Sequence, residues 1–412
     1  MNNKKRIIID IDIPVYGGGS IGRYKGKVVM IKGAVLPGET VEAVIVKEKK
    51  DYITASAGKI IQPSPDRVKP PCRYYGTCGG CHLQHAPYTI QVKLKEEILR
   101  DTIRRLAKID LQLSAPIITN RPWHYRCRAQ FKVSEGKIGF YRKSSTNLID
   151  VDTCPLMREE INTSLTKVRS LLTCLNAGEI HISCGETAVA FIKMAETGKD
   201  FDGLASAFIG SGFSGLMVET DDQELLRYGK PYITLNLEEM KYTVSAISFF
   251  QSHWKLNRSM IRLIKDTLGH INGKRVLDLY SGAGNFSLPL AGDADVTAVE
   301  ESPYAIEDGR RNLEINGIRN CRFVNSPAER YLTRERFDIL ILDPPRPGLS
   351  NQVVKNIHSL LPEQIVYISC DPATFSRDLK KLAWKYDIES VRMVDLFPQT
   401  FHIESLAFLQ LR

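Results

Sequence analysis

Residues 275–290 read RVLDLYSGAGNFSLPL. An apolar run, broken only by Asp278, ends in a turn of Ser281, Gly282, Ala283 and Gly284, and a further apolar stretch follows at once. A strand that enters a helix through residues with almost no side chain lets a ligand approach the backbone. The next apolar run, VTAVE, ends at Glu300, 18 positions beyond Gly282. A carboxylate at that place can accept both hydroxyls of a ribose. A dinucleotide loop would supply a third glycine against a pyrophosphate, whereas Asn285 and Phe286 stand here.

From Phe249 onward, RVLDLY, VTAVE, FDILILD and IVYISC are short, very apolar runs separated by helical stretches. Strands buried on both faces read in this continuous way, so a parallel α/β sheet is expected, with its site at the carboxyl ends of the strands. S-adenosylmethionine, a nucleoside without a pyrophosphate, suits the glycine turn. FDILILDPPRPG puts Asp343 at a strand end, with Pro344 and Pro345 stiffening the chain beyond it. Asp-Pro-Pro also occurs in enzymes that methylate exocyclic amino groups, but those carry an aromatic residue after the prolines to stack the base, and here Arg346 follows. The next run ends in Cys370. A cysteine at the carboxyl edge of the strand after Asp343 is a candidate nucleophile rather than a packing residue. A thiolate adding to C6 of uracil makes C5 nucleophilic enough to take a methyl group, after which the C5 proton must leave. FPQTFHIES supplies a carboxylate for that step, Glu404, with His402 beside it.

Working back toward the amino terminus, residues 123–235 mix strand-like runs (AQFKV, KIGFY, AVAFIKM, PYITLNL) with a helical section over 159–175, which predicts an α+β unit. Residues 88–107 form a helix with Ile90, Leu94, Ile98, Leu99, Ile103 and Leu106 on one apolar stripe. Residues 6–61 alternate apolar stretches with glycine and proline turns, as a small OB-like β-barrel does. Residues 1–60 carry eleven basic and six acidic side chains, and the whole chain of 412 residues has a net charge of +9, which favours a polyanion. Lys4, Lys5 and Arg6 precede an apolar stretch interrupted by Asp10 and Asp12, so no secretory leader or membrane span can be drawn and a cytoplasmic, monomeric protein is expected.

In a reducing compartment the nine cysteines are metal ligands, nucleophiles or core residues rather than disulfides. Cys72, Cys78 and Cys81 lie in a glycine-rich turn at a spacing that asks for a shared metal. A fourth ligand is needed, with Cys154 and Cys127 as candidates. Spacing alone serves zinc as well as an iron–sulfur cluster. Cys174, Cys184 and Cys321 are expected to pack. Tyr125, with Arg126 and Arg128, could equally support an RNA strand or stand in the core.

SGAGNFSLPLA, LDPPRPG, SCDPATFSRDL and FPQTFHIES together resemble the RNA 5-methyluridine methyltransferase family. GGGSIGRYKGKVVMIKGAVLPGE is similar to its TRAM RNA-binding domain, and PSPDRVKPPCRYYGTCGGCHLQH to the cluster segment of the branch that modifies 23S ribosomal RNA. The resemblance implies Cys370 as nucleophile and Glu404 as proton-abstracting base. It implies that Gln251, Tyr280, Asn285, Glu300 and Asp343 contact adenosylmethionine, and that Cys72, Cys78, Cys81 and Cys154 hold a [4Fe-4S] cluster. It further implies three domains: a TRAM barrel over 1–61, a central cysteine-bearing α+β domain over 62–240, whose helix 88–107 could pack on the catalytic domain, and a class I, Rossmann-like methyltransferase domain over 241–412. The family's usual Asn two positions after Gln251 is His253 here. Amino-group methylation through Asp343, Pro344 and Pro345 is the alternative chemistry, and transfer RNA the alternative substrate.

Overall fold

The computed structural model describes residues 5–171, 177–194 and 200–412, in three sheets and one separate hairpin. The carboxyl-terminal sheet carries the site. Its seven strands are Arg275–Leu279, Asp295–Glu300, Cys321–Asn325, Ile339–Leu342, Gln364–Ser369, Tyr386–Val394 and Glu404–Leu411. Counted in chain order they lie 3-2-1-4-5-7-6, all running in one direction except the seventh, which is antiparallel to both its neighbours. Side chains of a strand alternate between faces. Ile339 and Ile341 therefore enter the core on one side, and Leu340 and Leu342 the core on the other. The second core also takes Val92, Ile98, Leu99 and Ile103, so the helix Tyr88–Thr102 and the π-turn that follows it pack on the catalytic sheet from far upstream.

The amino-terminal sheet has six strands between Arg6 and Gln62, with Ile7, Ile9, Val29, Ile31, Val41, Ala43, Ile53 and Ala55 buried at alternate positions. The central sheet has seven strands between Arg128 and Gly229, antiparallel but for one parallel pair. Helices Glu159–Leu171 and Phe201–Gly210 cover one face through Ile161, Leu165, Val168 and Phe208. The helical section expected over 159–175 is described as far as Leu171; its last residues, with Cys174, fall outside the described residues. The hairpin of Tyr232–Leu237 and Met240–Ser245 lies against helix Pro303–Asn316, where Asn312 Oδ1 accepts from Thr243 N at 2.7 Å and Asp308 Oδ2 accepts from Ser245 N at 2.9 Å. Among the described residues no helix is long and apolar enough to cross a membrane.

Candidate active site

Tyr280 leaves the first catalytic strand with a φ of +66° and opens the glycine turn. Gly284 has a φ of +93°, and a Cβ there would collide with Leu288 and meet Phe323 at 3.1 Å, so only glycine lets the loop close this tightly. Glu300 is held by two backbone donors: Gly282 N reaches Oε2 at 2.9 Å and Ser302 N reaches Oε1 at 2.8 Å. Each oxygen keeps a further lone pair for a ligand. Asn285 exchanges both amide groups with Asn257 of helix Trp254–Leu268, at 2.7 and 3.1 Å, and Gln251 is buried just before that helix. Below the loop, the fully buried Asp278 accepts from Ser287 Oγ at 2.5 Å through Oδ2, while Oδ1 has no partner. Burial, against the hydrogen bond from Ser287 and with Asp343 and Glu300 nearby, pushes Asp278 up to about 7. A cavity of about 410 Å³ opens alongside, lined by Tyr280, Glu329, Pro345, Gly348, Arg377 and Lys381.

The antiparallel seventh strand brings the catalytic candidates together. Ser369 is in register with Ser405, so one step further along each chain Cys370 and Glu404 stand side by side. Asp343 follows the neighbouring strand. Burial raises the proton affinity of all three groups, and Asp343 adds to the rise at the other two. Burial, then Glu404 and Asp343, pushes the Cys370 thiol up to about 12, with Arg346 opposing. Burial and then Asp343 hold Glu404 well above the usual carboxylate range, and burial takes Asp343 to about 7. His402 is held down to about 3 by burial and by Arg346, so it stays neutral, and Arg346 Nη2 lies 3.4 Å from its Nδ1. Asp371 caps helix Pro372–Leu382 by accepting from Ala373 N at 3.0 Å and Thr374 N at 2.9 Å, which fixes the chain just beyond Cys370.

Residues 395–403 lead into Glu404 and are gripped from outside the catalytic stretch. Lys95 Nζ donates to Asp395 Oδ1 at 2.7 Å and to the Phe397 carbonyl at 3.0 Å, with both charged side chains fully buried. Gln91 Nε2 donates to Gln399 Oε1 at 2.8 Å, and Gln399 N donates back to Gln91 Oε1 at 2.9 Å. Tyr125 Oη donates to the Pro398 carbonyl at 3.1 Å, and its ring stacks on His253 at 4.6 Å. Backbone N–H groups of His82 and Leu83 donate to the Gln399 carbonyl at 2.9 and 3.0 Å. Tyr125 is thus a buried core aromatic, and His253 caps helix Trp254–Leu268 through Nδ1.

This geometry has a counterpart in known proteins. Residues 222–412 match the model of the tRNA (uracil-5-)-methyltransferase family. The 23S rRNA (uracil(1939)-C(5))-methyltransferase RlmD of Shewanella amazonensis is 32% identical over 96% of this chain and 93% of its own. The chain belongs to the RNA uracil-C5 methyltransferases. An RNA methyltransferase of Aquifex aeolicus is 34% identical, with 99% of each chain covered. The crystal structure of the Pyrococcus abyssi tRNA (uracil-54, C5)-methyltransferase in complex with S-adenosyl-L-homocysteine superposes with a TM-score of 0.76 at 25% identity, covering 97% of this chain and 99% of that one.

In this methyltransferase, of the four cysteines expected to share a metal, Cys81 and Cys154 feel the charge of the others. Burial raises Cys81 to about 12, against a hydrogen bond from Gln84, and Cys154, Cys78 and Cys72 all add to the rise. Burial raises Cys154 too, with Cys72 and Cys78 contributing. Cys72 and Cys154 line one cavity of about 580 Å³ with Tyr74, His124 and Asp152. Among the described residues, no three His, Cys, Asp or Glu side chains are arranged to hold a single metal ion. Cys127 is elsewhere: its Sγ is buried 3.1 Å from the Ser252 carbonyl. Cys184 and Cys321 are buried.

Sequence reasoning missed Asp278, Asn257, Gln91 and Lys95. Gln91 and Lys95 are four apart on one helix face beside the apolar stripe, and that spacing was the available signal.

Proposed function

We propose that this methyltransferase transfers a methyl group from adenosylmethionine to C5 of a uridine in 23S ribosomal RNA, with Cys370 as nucleophile and Glu404 as base. The observation that carries the reading is the Ser369–Ser405 register, which sets Cys370 and Glu404 one step further along adjacent antiparallel strands, with Asp343 at the next strand end. Adenosylmethionine supplies an electrophilic methyl group. Its positive charge suits a site bounded by Asp278, Glu300 and Asp343, and the unpartnered Asp278 Oδ1 offers a buried acceptor for an ammonium group. Gln251, Tyr280, Asn285, Glu300 and Asp343 are the proposed contacts.

Cys370 gives its proton to solvent water, and the thiolate Sγ bonds to C6 and pushes the electrons of the C5–C6 double bond into an enolate at C4–O4. The C5 carbon displaces the methyl group from sulfur. Glu404 takes the C5 proton, the double bond re-forms and Cys370 Sγ leaves. A carboxylate with a raised pKa is a stronger base once its own proton is gone. Arg346 is the cation set against Glu404 and Cys370, where an amino-group enzyme would need a stacking ring. The target base must leave its stack to reach Cys370.

The basic amino-terminal domain, residues 1–61, serves in this reading as an OB-like TRAM barrel that holds RNA, ahead of a central domain over 62–240 and a catalytic domain over 241–412, in a monomeric cytoplasmic enzyme. Cys72, Cys78, Cys81 and Cys154 would hold a [4Fe-4S] cluster. Burial and the neighbouring cysteines raise the Cys78, Cys81 and Cys154 thiols, and a cationic centre removes that conflict. The cluster would brace this segment; no catalytic step passes through it. Transfer RNA is the second substrate reading, favoured by the Pyrococcus abyssi structure.

The test is nucleoside mass spectrometry of 23S ribosomal RNA and transfer RNA incubated with protein and adenosylmethionine. The expected product is 5-methyluridine in 23S RNA with the native protein and none with Cys370→Ala. Methylated amino groups without 5-methyluridine would overturn the reading.

A further inference from the structure

The strands Ile13–Val15 and Gly19–Tyr24 of the amino-terminal sheet are joined by Tyr16, Gly17 and Gly18, and this tip reaches the catalytic strand ends. Gly18 has a φ of +74°, and a Cβ on it would stand 3.3 Å from the His82 ring and 3.4 Å from Phe401, so the turn is packed directly on the loop that leads to Glu404. The Tyr16 ring meets Phe401 edge-on at 5.4 Å and 88°. Its hydroxyl donates to the Cys370 carbonyl at 3.3 Å. That carbonyl lies between the end of strand Gln364–Ser369 and the start of helix Pro372–Leu382, outside the regular bonding of either element. Burial keeps the phenol protonated, and Asp371, Arg346, Cys370 and Glu404 are all near enough to act on it.

We propose that Tyr16 is a positioning residue for the methylation step: from a different sheet it fixes the Cys370–Asp371 peptide and thereby the direction of Cys370 Sγ. The amino-terminal sheet then completes the catalytic site as well as carrying charge for RNA. The inference rests on Cys370 being the nucleophile.

Tyr16→Phe in the full chain keeps the ring against Phe401 and removes only the hydroxyl. The rate of covalent adduct formation at saturating 5-fluorouridine RNA and adenosylmethionine should fall about 3- to 10-fold, as loss of one hydrogen bond implies. RNA affinity and the urea midpoint should not change. A Tyr16→Phe rate equal to wild type overturns the proposal, as does a change in RNA affinity with the saturated rate unaltered, which would make Tyr16 an RNA contact. If the wild-type protein forms no adduct, or Cys370→Ala forms it equally well, the nucleophile assignment has failed and this proposal fails with it. An adduct present in wild type, absent in Cys370→Ala and unslowed in Tyr16→Phe removes the Tyr16 role alone.

Discussion

Lys95→Met replaces a cation 2.7 Å from Asp395 where both side chains are shut off from water. The ammonium lost is also the donor to the Phe397 carbonyl, and Asp395 Oδ2 already lacks a partner. Removing one member of a buried pair leaves the other charge uncompensated, at a cost of about 3–5 kcal/mol. Gln91 and Tyr125 still hold Gln399 and Pro398, so the damage should concentrate in residues 395–397. Urea unfolding followed by tryptophan fluorescence should show the midpoint lowered by about 1 M or more. Amide exchange over residues 395–403 should quicken, and methylation should fall with it, because that loop delivers Glu404. Lys95→Met combined with Asp395→Leu should recover much of the loss, since an apolar pair of similar volume needs no counter-charge. A single-variant cost below about 1 kcal/mol, or a double variant less stable than Lys95→Met, would refute the reasoning.

Two further outcomes follow from the same site. With its thiol pushed up to about 12, Cys370 is protonated at neutral pH, with about a thousandfold less thiolate than a thiol at the reference value of 9.0. Alkylation of Cys370 in the ligand-free protein, followed by peptide mapping, should therefore rise about tenfold per pH step from 7 toward 11; a plateau near pH 7 would contradict the burial argument. Anaerobically purified protein should hold about four iron and four sulfide per chain, lost in Cys154→Ser and kept in Cys127→Ser; about one zinc per chain would replace the cluster assignment.

The catalytic sheet was legible because its strands are buried on both faces, which leaves continuous apolar runs such as ILIL at 339–342 with chemistry only at their ends. Cys370 and Glu404 could be named from their motifs, but their adjacency depends on the antiparallel return of strand Glu404–Leu411, and no local pattern announces that. Lys95 was hidden for a related reason. A buried lysine reads like a solvated one until its partner is known, and Asp395 lies 300 positions away. Tyr125 stood evenly between RNA support and core; its bond to Pro398 and its stacking on His253 place it in the core. His253, which departs from the family's Asn, keeps a role open to either residue, since both can cap a helix.

The most direct test of the account is denaturing mass spectrometry of the protein incubated with adenosylmethionine and RNA carrying 5-fluorouridine. Fluorine at C5 cannot leave as a proton, so the proposed base, Glu404, would have nothing to remove and the intermediate should persist. The account predicts a methylated protein–RNA adduct that maps to Cys370 and is absent in Cys370→Ala. Methyl transfer to ordinary RNA by Cys370→Ala at the wild-type rate would contradict it.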